Sequence, residues 1–121
     1  MYFRYHVNYI SPRTNMTVGV FVAVWHLVDG KRMLDEEIET YWEHRKYFEE
    51  ALPVPSFYSD ENSIEAVTWF KDNNKTRTLI NKMKFYFDML RKYDVDLVKS
   101  NSDNPGKIIY EDDYQIGVIK E

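Results

Sequence analysis

The sequence predicts a single α+β domain over residues 1–121, in which helices pack on a mixed sheet. Three observations predict this class. Apolar and polar residues alternate over 2–10, as they do in a half-buried strand. Apolar residues recur at helical spacing over 35–52 and again over 76–93. Near the end of the chain, residues 107–119 alternate on either side of two aspartates, which is typical of a β-hairpin.

The first element is the strand over 2–10. Its aromatic residues lie on one side, and Arg4, His6 and Asn8 lie on the other. A sheet that carries helices on one face commonly leaves the second face in solvent, so the polar side is expected to be solvated. Turn-forming residues follow at 11–15.

The segment 18–28 is compatible with two structures. Its alternating valines favour a strand, because β-branched side chains fit a pleated surface. Thr17 is a good helix N-cap and Gly30 is a good residue to follow a helix, and these two favour a helix. The helix is preferred because of these flanking residues.

The remaining elements continue the pattern. A helix over 35–52 begins at an aspartate that can cap it and ends before Pro53. Residues 66–70 form a short buried strand, 76–93 form the most regular amphipathic helix, and 96–99 form a strand that suits a right-handed parallel crossover. With the final hairpin, the predicted order is β-α-α-β-α-β-β.

Composition limits the classes of function. The formal net charge of −4 makes nucleic-acid binding unlikely, because a phosphate-backbone binder needs a basic surface. The chain has no cysteine, which excludes disulfides, thiolate nucleophiles and cysteine-ligated zinc and suits a reducing compartment. The first residues include Arg4 and His6 rather than an apolar signal segment, and the longest apolar run, 18–25, is shorter than a membrane span. A cytoplasmic protein without membrane association is expected.

Three residues are predicted to bind a ligand. Arg4 can hold an anion and His6 can move a proton near neutral pH, if the polar side of the first strand lines a cleft. Lys71 ends the strand 66–70 just before a helix, a place where ligands often bind in α/β sheets. The alternative is that these residues are ordinary solvated positions of a strand face and a strand end.

An aromatic loop and an acidic cluster are the other candidates. Phe57 and Tyr58, in a proline-containing loop, are predicted to form either an interaction patch or a lid on the core. The three consecutive acids that begin at Glu111 are better explained by turn chemistry than by a metal site, so no metal is predicted. No nucleotide, dinucleotide, zinc-protease or nucleophile-elbow motif is present, and no cofactor is expected.

Three stretches of the sequence, taken together, resemble a known family. They are Tyr9-Ile10-Ser11-Pro12-Arg13-Thr14 with the following Val18-Gly19-Val20-Phe21, Ala66-Val67-Thr68-Trp69-Phe70-Lys71, and Pro105-Gly106-Lys107-Ile108-Ile109-Tyr110-Glu111-Asp112. Their order and spacing resemble a family of small uncharacterised bacterial proteins. The resemblance implies no activity and no catalytic residue. It adds weight only to the polar positions near Lys71 and in the final hairpin.

The sequence favours a non-enzymatic binding or regulatory protein whose partner is another macromolecule, most simply a protein. The first alternative is a small enzyme or ligand-binding protein that acts on an anionic small molecule or nucleotide through Arg4, His6 and Lys71. The second is nucleic-acid binding through basic residues of the long helix, which are Arg77, Lys82, Lys84, Arg91 and Lys92. A homodimer is also compatible with the sequence, through an exposed sheet edge at 114–119.

Overall fold

The structure of the protein is a computed structural model, which describes residues 1–12, 16–53 and 66–119. In these residues the strands are β1 (Tyr2–Ile10), β2 (Thr17–Gly19), β3 (Val67–Lys71), β4 (Leu97–Ser102), β5 (Lys107–Glu111) and β6 (Gln115–Ile119). The helices are α1 (Val20–Asp29), α2 (Asp35–Ala51), α3 (Asn74–Asn81) and α4 (Lys84–Lys92). None of these four helices is long and apolar enough to cross a membrane. The predicted α+β class is confirmed, with a short added strand, β2, and a break in the third predicted helix.

The ambiguous segment contains both structures. Thr17 pairs with Ile10 at the start of β2, and the helix begins at Val20. The predicted helix is therefore confirmed from Val20 onward. Its N-cap is Gly19 and not Thr17, because Thr17 is held in the strand pairing.

The predicted long helix is two helices. The amide of Lys82 donates to the carbonyl of Leu79 at 3.0 Å, and that of Met83 donates to Ile80 at 2.8 Å. These bonds reach three residues back instead of four, which tightens the turn and ends α3. Met83 is fully buried at this break, and α4 starts immediately after it.

The start of α2 also differs in detail from the prediction. The N-cap is Leu34, and Asp35 is the first helical residue. Glu37 supplies the side-chain cap instead, because its Oε1 accepts a hydrogen bond from the amide of Leu34 at 2.8 Å. Acidic residues in this first turn suit the positive end of the helix dipole, as the sequence predicted.

β1 pairs with one strand along one edge and with two strands along the other. β4 pairs with β1 along one edge, from Tyr2 to Val7. On the other edge, β3 pairs with Tyr2 and Phe3, and β2 pairs farther along, between His6 and Ile10. β2 and β3 therefore share one edge of β1 and lie one after the other, so the sheet has a gap between them. The rest of the sheet continues from β3 to β6 and β5.

Two details of the predicted sheet are wrong. All pairings between the described strands are antiparallel, whereas a mixed sheet was predicted. β3 and β4 do run in the same direction, but β1 lies between them, so they are not hydrogen-bonded neighbours. The predicted free edge at 114–119 is also absent, because β6 is paired with β3 on one side and with β5 on the other. Among the described strands, β2, β4 and β5 are paired on one side only.

The helices cover one face of the sheet and form the main core with it. Phe70 and Val7 point to this face and pack with buried residues of all four helices. The other face carries a smaller apolar cluster of Val67, Trp69, Ile116 and Val118, since these residues alternate with those that face the helices. Both faces of the central strands are therefore buried.

Candidate functional site

Arg4 lies on the sheet face opposite the helices, as the alternation along β1 predicted, but it is buried. Its side chain is 8% exposed. Nη1 donates a hydrogen bond to Oγ1 of Thr17 at 2.8 Å, and Nη2 contacts the carbonyl oxygen of the same residue. The expected solvated position is wrong because β2, which the sequence did not predict as a strand, places Thr17 next to the guanidinium.

His6 is also buried and is oriented by two contacts. Its Nδ1 lies 2.9 Å from the carbonyl oxygen of Val7, and its Nε2 lies 2.7 Å from Oγ of Ser100. A carbonyl oxygen only accepts, so Nδ1 carries a hydrogen and donates it to Val7. The second contact, between Nε2 and the hydroxyl of Ser100, links β1 to β4.

Lys71 shares a face with Arg4 and His6 but does not converge with them. It lies opposite Tyr2 in the β1–β3 pairing, so it is two residues from the level of Arg4 and four from that of His6. At about 3.3 Å per residue, these offsets are roughly 7 and 13 Å along the strand. Its ammonium group forms an ion pair with Glu111 at 2.5 Å. The structure thus places the three predicted residues on one face, each with a partner within the chain.

The aromatic loop and the three consecutive acids of the hairpin were the other candidates predicted from the sequence. Phe57 and Tyr58 lie outside the described residues. The three acids of the hairpin serve three separate contacts: Glu111 pairs with Lys71, Asp112 Oδ1 accepts the amides that begin β6, and Asp113 pairs with Lys75. Within residues 1–12, 16–53 and 66–119, no group of three or more His, Asp or Glu side chains is placed to hold a metal ion.

A cavity of about 630 Å³ lies at the sheet gap; most of its described lining comes from the helix side, and Arg4 and Val67 reach it from the opposite face. Its wall is formed by the ends of β2 and β3, the first turns of α1, the second half of α2 and the start of α4. The described lining residues are mostly apolar, with many aromatic rings, among them Tyr5, Phe21, Trp25, Tyr41, Phe48, Phe70 and Tyr86. This volume lies within the range of small-molecule pockets, which are apolar clefts with few polar groups.

Two buried polar side chains in the cavity wall have unused hydrogen-bonding capacity. Tyr86 is 1% exposed, and no described residue hydrogen-bonds to its hydroxyl. Gln115 is 3% exposed and donates both amide hydrogens, to the carbonyl of Pro53 and to Asp112, while its own carbonyl oxygen receives no hydrogen bond from a described residue. Both side chains line the cavity.

A charged corner lies beside Tyr86. Arg45 donates from Nε to Glu49 at 3.0 Å and from Nη1 to the hydroxyl of Tyr41 at 3.5 Å, and all three residues line the cavity. Burial raises the pKa of Tyr86 well above its ordinary value of 10.0, and the nearby hydroxyl of Tyr41 acts in the same direction. Burial likewise raises the pKa of Tyr41. Both phenols are therefore neutral and able to donate hydrogen bonds at physiological pH.

An exposed aromatic patch continues outward from this corner. The rings of Trp25 and Trp42 are 6.1 Å apart, and the guanidinium of Arg45 lies 5.7 Å from the first and 5.2 Å from the second. Trp42 is 47% exposed. We call Trp25, Trp42 and Arg45 the tryptophan patch. Because Trp25 and Arg45 also line the cavity, the patch forms one side of its mouth.

The basic residues of α3 and α4 are largely compensated by acids. Arg77 pairs with Asp72, both Lys84 and Arg91 pair with Asp88, and Lys92 pairs with Glu37. Of the five basic positions predicted from the sequence, Lys82 has no ion pair with a described residue. These pairs reduce the positive potential of the surface, so nucleic-acid binding through it receives no support from the geometry.

Sequence reasoning missed the cavity residues because it assigned them to the core. Tyr41 and Arg45 belong to the apolar stripe of α2, and Tyr86 belongs to that of α4. A signal was present: a charged arginine within an apolar stripe, four residues after a tyrosine, places two polar groups next to each other at the margin of the packed face of a helix.

Comparisons of the chain with protein-family models, with curated proteins and with solved structures found no match. The resemblance to small uncharacterised bacterial proteins therefore stays a prediction. Function has to be argued from the site itself.

Proposed function

We propose that the protein binds a small, mainly apolar molecule in the cavity between β2, β3 and the helices. The observation that carries the proposal is a pair of buried polar side chains in the wall of a largely apolar cavity, Tyr86 and Gln115, whose oxygens receive no hydrogen bond from the part of the chain that the structure describes. A buried polar group without a hydrogen bond costs about 1–3 kcal/mol, so such groups are retained where a ligand or water satisfies them. Their position among aromatic walls suits a ligand with an apolar body and few polar atoms.

The sequence analysis also offered ligand binding as an alternative function, through Arg4, His6 and Lys71. The present proposal places the ligand in the cavity instead. Arg4 is the one residue of the predicted set that lines the cavity. His6 and Lys71 are engaged with Ser100 and Glu111 and are not among the residues that line the cavity. We also propose a cytoplasmic location, which the lack of cysteine supports.

The test is a screen of the purified protein by thermal shift and ligand-observed NMR against small apolar and amphipathic molecules. A ligand present at 100 times its dissociation constant stabilises the native state by about 2.7 kcal/mol, which raises Tm by about 10 °C in a domain of this size. The binding should be lost in Thr68→Trp, because Thr68 lines the cavity and points, like Phe70, to the helix face.

Thr78→Trp is the matched control, since Thr78 is exposed on α3 and the same indole is added outside the cavity. Ligands that bind the wild type and Thr68→Trp equally well would show that binding takes place elsewhere. A broad screen without any shift or NMR contact would refute the proposal.

The tryptophan patch favours a second candidate, a protein partner, which the sequence analysis preferred. Tryptophan and arginine are the side chains that most often dominate protein interfaces, and here they are adjacent and partly exposed. For a partner identified by cross-linking, Trp42→Ala should reduce affinity at least about tenfold. Leu34→Ala removes a comparably exposed apolar side chain at the other end of α2 and should have no effect. Equal loss in both variants would rule out the patch as the interface.

A further inference from the structure

We infer that the ligand of the cavity is an amphipathic acid, whose carboxylate is received by Arg45, Tyr41 and Tyr86 and whose apolar body lies between the aromatic walls. The inference rests on the proposed function, because it assigns the chemical class of molecule that the same cavity binds. It follows from the kinds of polar group at one corner of the cavity and from the charge of its lining.

The corner beside Arg45 presents donors. The hydroxyl of Tyr41 already accepts from Arg45 Nη1 at 3.5 Å, so its hydrogen is available to a ligand. The hydroxyl of Tyr86 has no described partner and also has a hydrogen to donate. The phenols remain protonated because burial raises the pKa of each, that of Tyr86 most. A carboxylate only accepts hydrogen bonds, so it matches this set of donors better than an amide or an amine does.

Arg45 retains donors for an anion although it pairs with Glu49. The contact to Glu49 uses Nε, which leaves the terminal nitrogens of the guanidinium facing Tyr41 and the cavity. Glu49 itself is 61% exposed, so water screens its charge. Hydrogen bonds to a charged acceptor in a partly buried site are about twice as strong as neutral ones, which gives the acid an advantage over its neutral analogue.

The lining charges favour an acid over a base. Among the described residues of the wall, the charged ones are Arg4, Arg45 and Glu49, so this described part of the wall carries a formal charge of +1 in a protein of net charge −4. An ammonium group at this corner would face the guanidinium of Arg45 and the hydroxyl hydrogens of Tyr41 and Tyr86. The aromatic rings around the corner accept either a fused-ring or a linear apolar body.

The test uses two apolar skeletons, each in three chemical forms. Naphthalene-2-acetate and decanoate are the acids, their primary amides are the neutral analogues, and the corresponding primary amines are the cations. Affinities are measured by isothermal titration calorimetry at pH 7 and low salt for the wild type, Arg45→Gln, Tyr86→Phe, Thr68→Trp and, as a control, Arg77→Gln. Circular dichroism and Tm confirm that each variant is folded.

At least one acid should bind, about tenfold or more tightly than its amide, and its amine should bind most weakly. Arg45→Gln and Tyr86→Phe should each weaken the acid by about fivefold to tenfold and leave the amide within about twofold. Arg77→Gln should bind as the wild type does, because Arg77 is exposed and contacts Asp72.

The outcomes separate this inference from the proposed function. If acid and amide bind equally and both are lost in Thr68→Trp, the cavity binds small molecules but the acid class is wrong. If the amines bind most tightly, the charge argument is wrong. If no member of either series binds while the wider screen finds another ligand, the inference falls and the proposed function stands; if the wider screen also finds none, both fall.

Discussion

Glu37 joins α2 to α4, the two helices that carry the corner of the cavity beside Arg45. The effect of removing its charge on the free energy of unfolding can be calculated from the structure. It stands in the first turn of α2 and reaches the end of α4, where Lys92 donates to its Oε2 at 2.7 Å and Tyr93 donates to its Oε1. Its side chain is 11% exposed. α2 carries Arg45 and α4 carries Tyr86, so this contact fixes the spacing between the two sides of the corner.

Burial by itself would raise the pKa of Glu37. The hydrogen bonds from Lys92, Tyr93 and the amide of Leu34 outweigh burial and lower the pKa from 4.5 to about 2. At about 1.36 kcal/mol per pH unit, this difference corresponds to an upper limit of about 3.4 kcal/mol of stabilisation by the charged form. Because Lys92 is half exposed and its charge is screened, we expect Glu37→Gln to lower the free energy of unfolding by about 1–2 kcal/mol at pH 7.

The pH dependence follows from the direction of the shift. A carboxyl group whose pKa is lowered in the folded state stabilises the fold above its unfolded pKa and loses this effect as the pH falls toward the folded value. The free energy of unfolding of the wild type should therefore exceed that of Glu37→Gln by a constant amount above about pH 5.5. At pH 3 this excess should fall to about two fifths of that amount. Urea unfolding monitored by circular dichroism at these pH values measures it.

Glu36→Gln is the matched control, because Glu36 occupies the same helical turn without an ion pair to a described residue. Both variants lose the same interaction with the helix dipole. The difference between their free energies of unfolding therefore measures the direct contacts of Glu37 with Lys92 and Tyr93. The reasoning is refuted if the two variants are equally stable at pH 7, or if the cost of Glu37→Gln is the same at pH 3 as at pH 7.

Three further substitutions test the fold by urea unfolding. Gly106→Ala should lower the free energy of unfolding by about 1–3 kcal/mol, because Gly106 has φ +152° and an added Cβ would lie 2.5 Å from the carbonyl oxygen of Ile119. An unchanged urea midpoint would contradict this prediction. Asn73→Ala should cost about 1 kcal/mol, since its side chain caps α3 by accepting from the amide of Thr76 at 2.9 Å, and a cost below about 0.3 kcal/mol would argue against the cap. Leu90→Ala should cost about 2–5 kcal/mol, because Leu90 is fully buried in the main core, and a smaller cost would indicate that the helices repack.

The elements with a clear local cause were predicted from the sequence. α2 follows from helical spacing of apolar residues between an acidic first turn and Pro53, and the structure places it at Asp35–Ala51. The final hairpin follows from alternation on either side of Asp112, whose side chain accepts the amides that begin β6. In both cases the determining contacts join residues close together in the chain, where pattern and propensity are informative.

Pairings between distant strands were not predictable in the same way. Whether Arg4 and His6 meet solvent depends on Thr17 and Ser100, which come from β2 and β4. The edge predicted at 114–119 became an interior strand for the same reason, since β3 and β5 both pair with β6. A strand pattern shows which side chains share a face, but it does not show what covers that face or which strands are neighbours.

The sequence by itself determined the α+β class, the position of most helices and strands and the acidic balance of the surface, because local periodicity and composition carry that information. Only the tertiary structure decided where the cavity lies and which residues line it. The cavity exists because β2 and β3 share one edge of β1 and leave a gap, and its corner combines Arg45 from α2 with Tyr86 from α4. Long-range packing makes that combination, because α2 and α4 are separate along the chain and their side chains meet only in the folded protein.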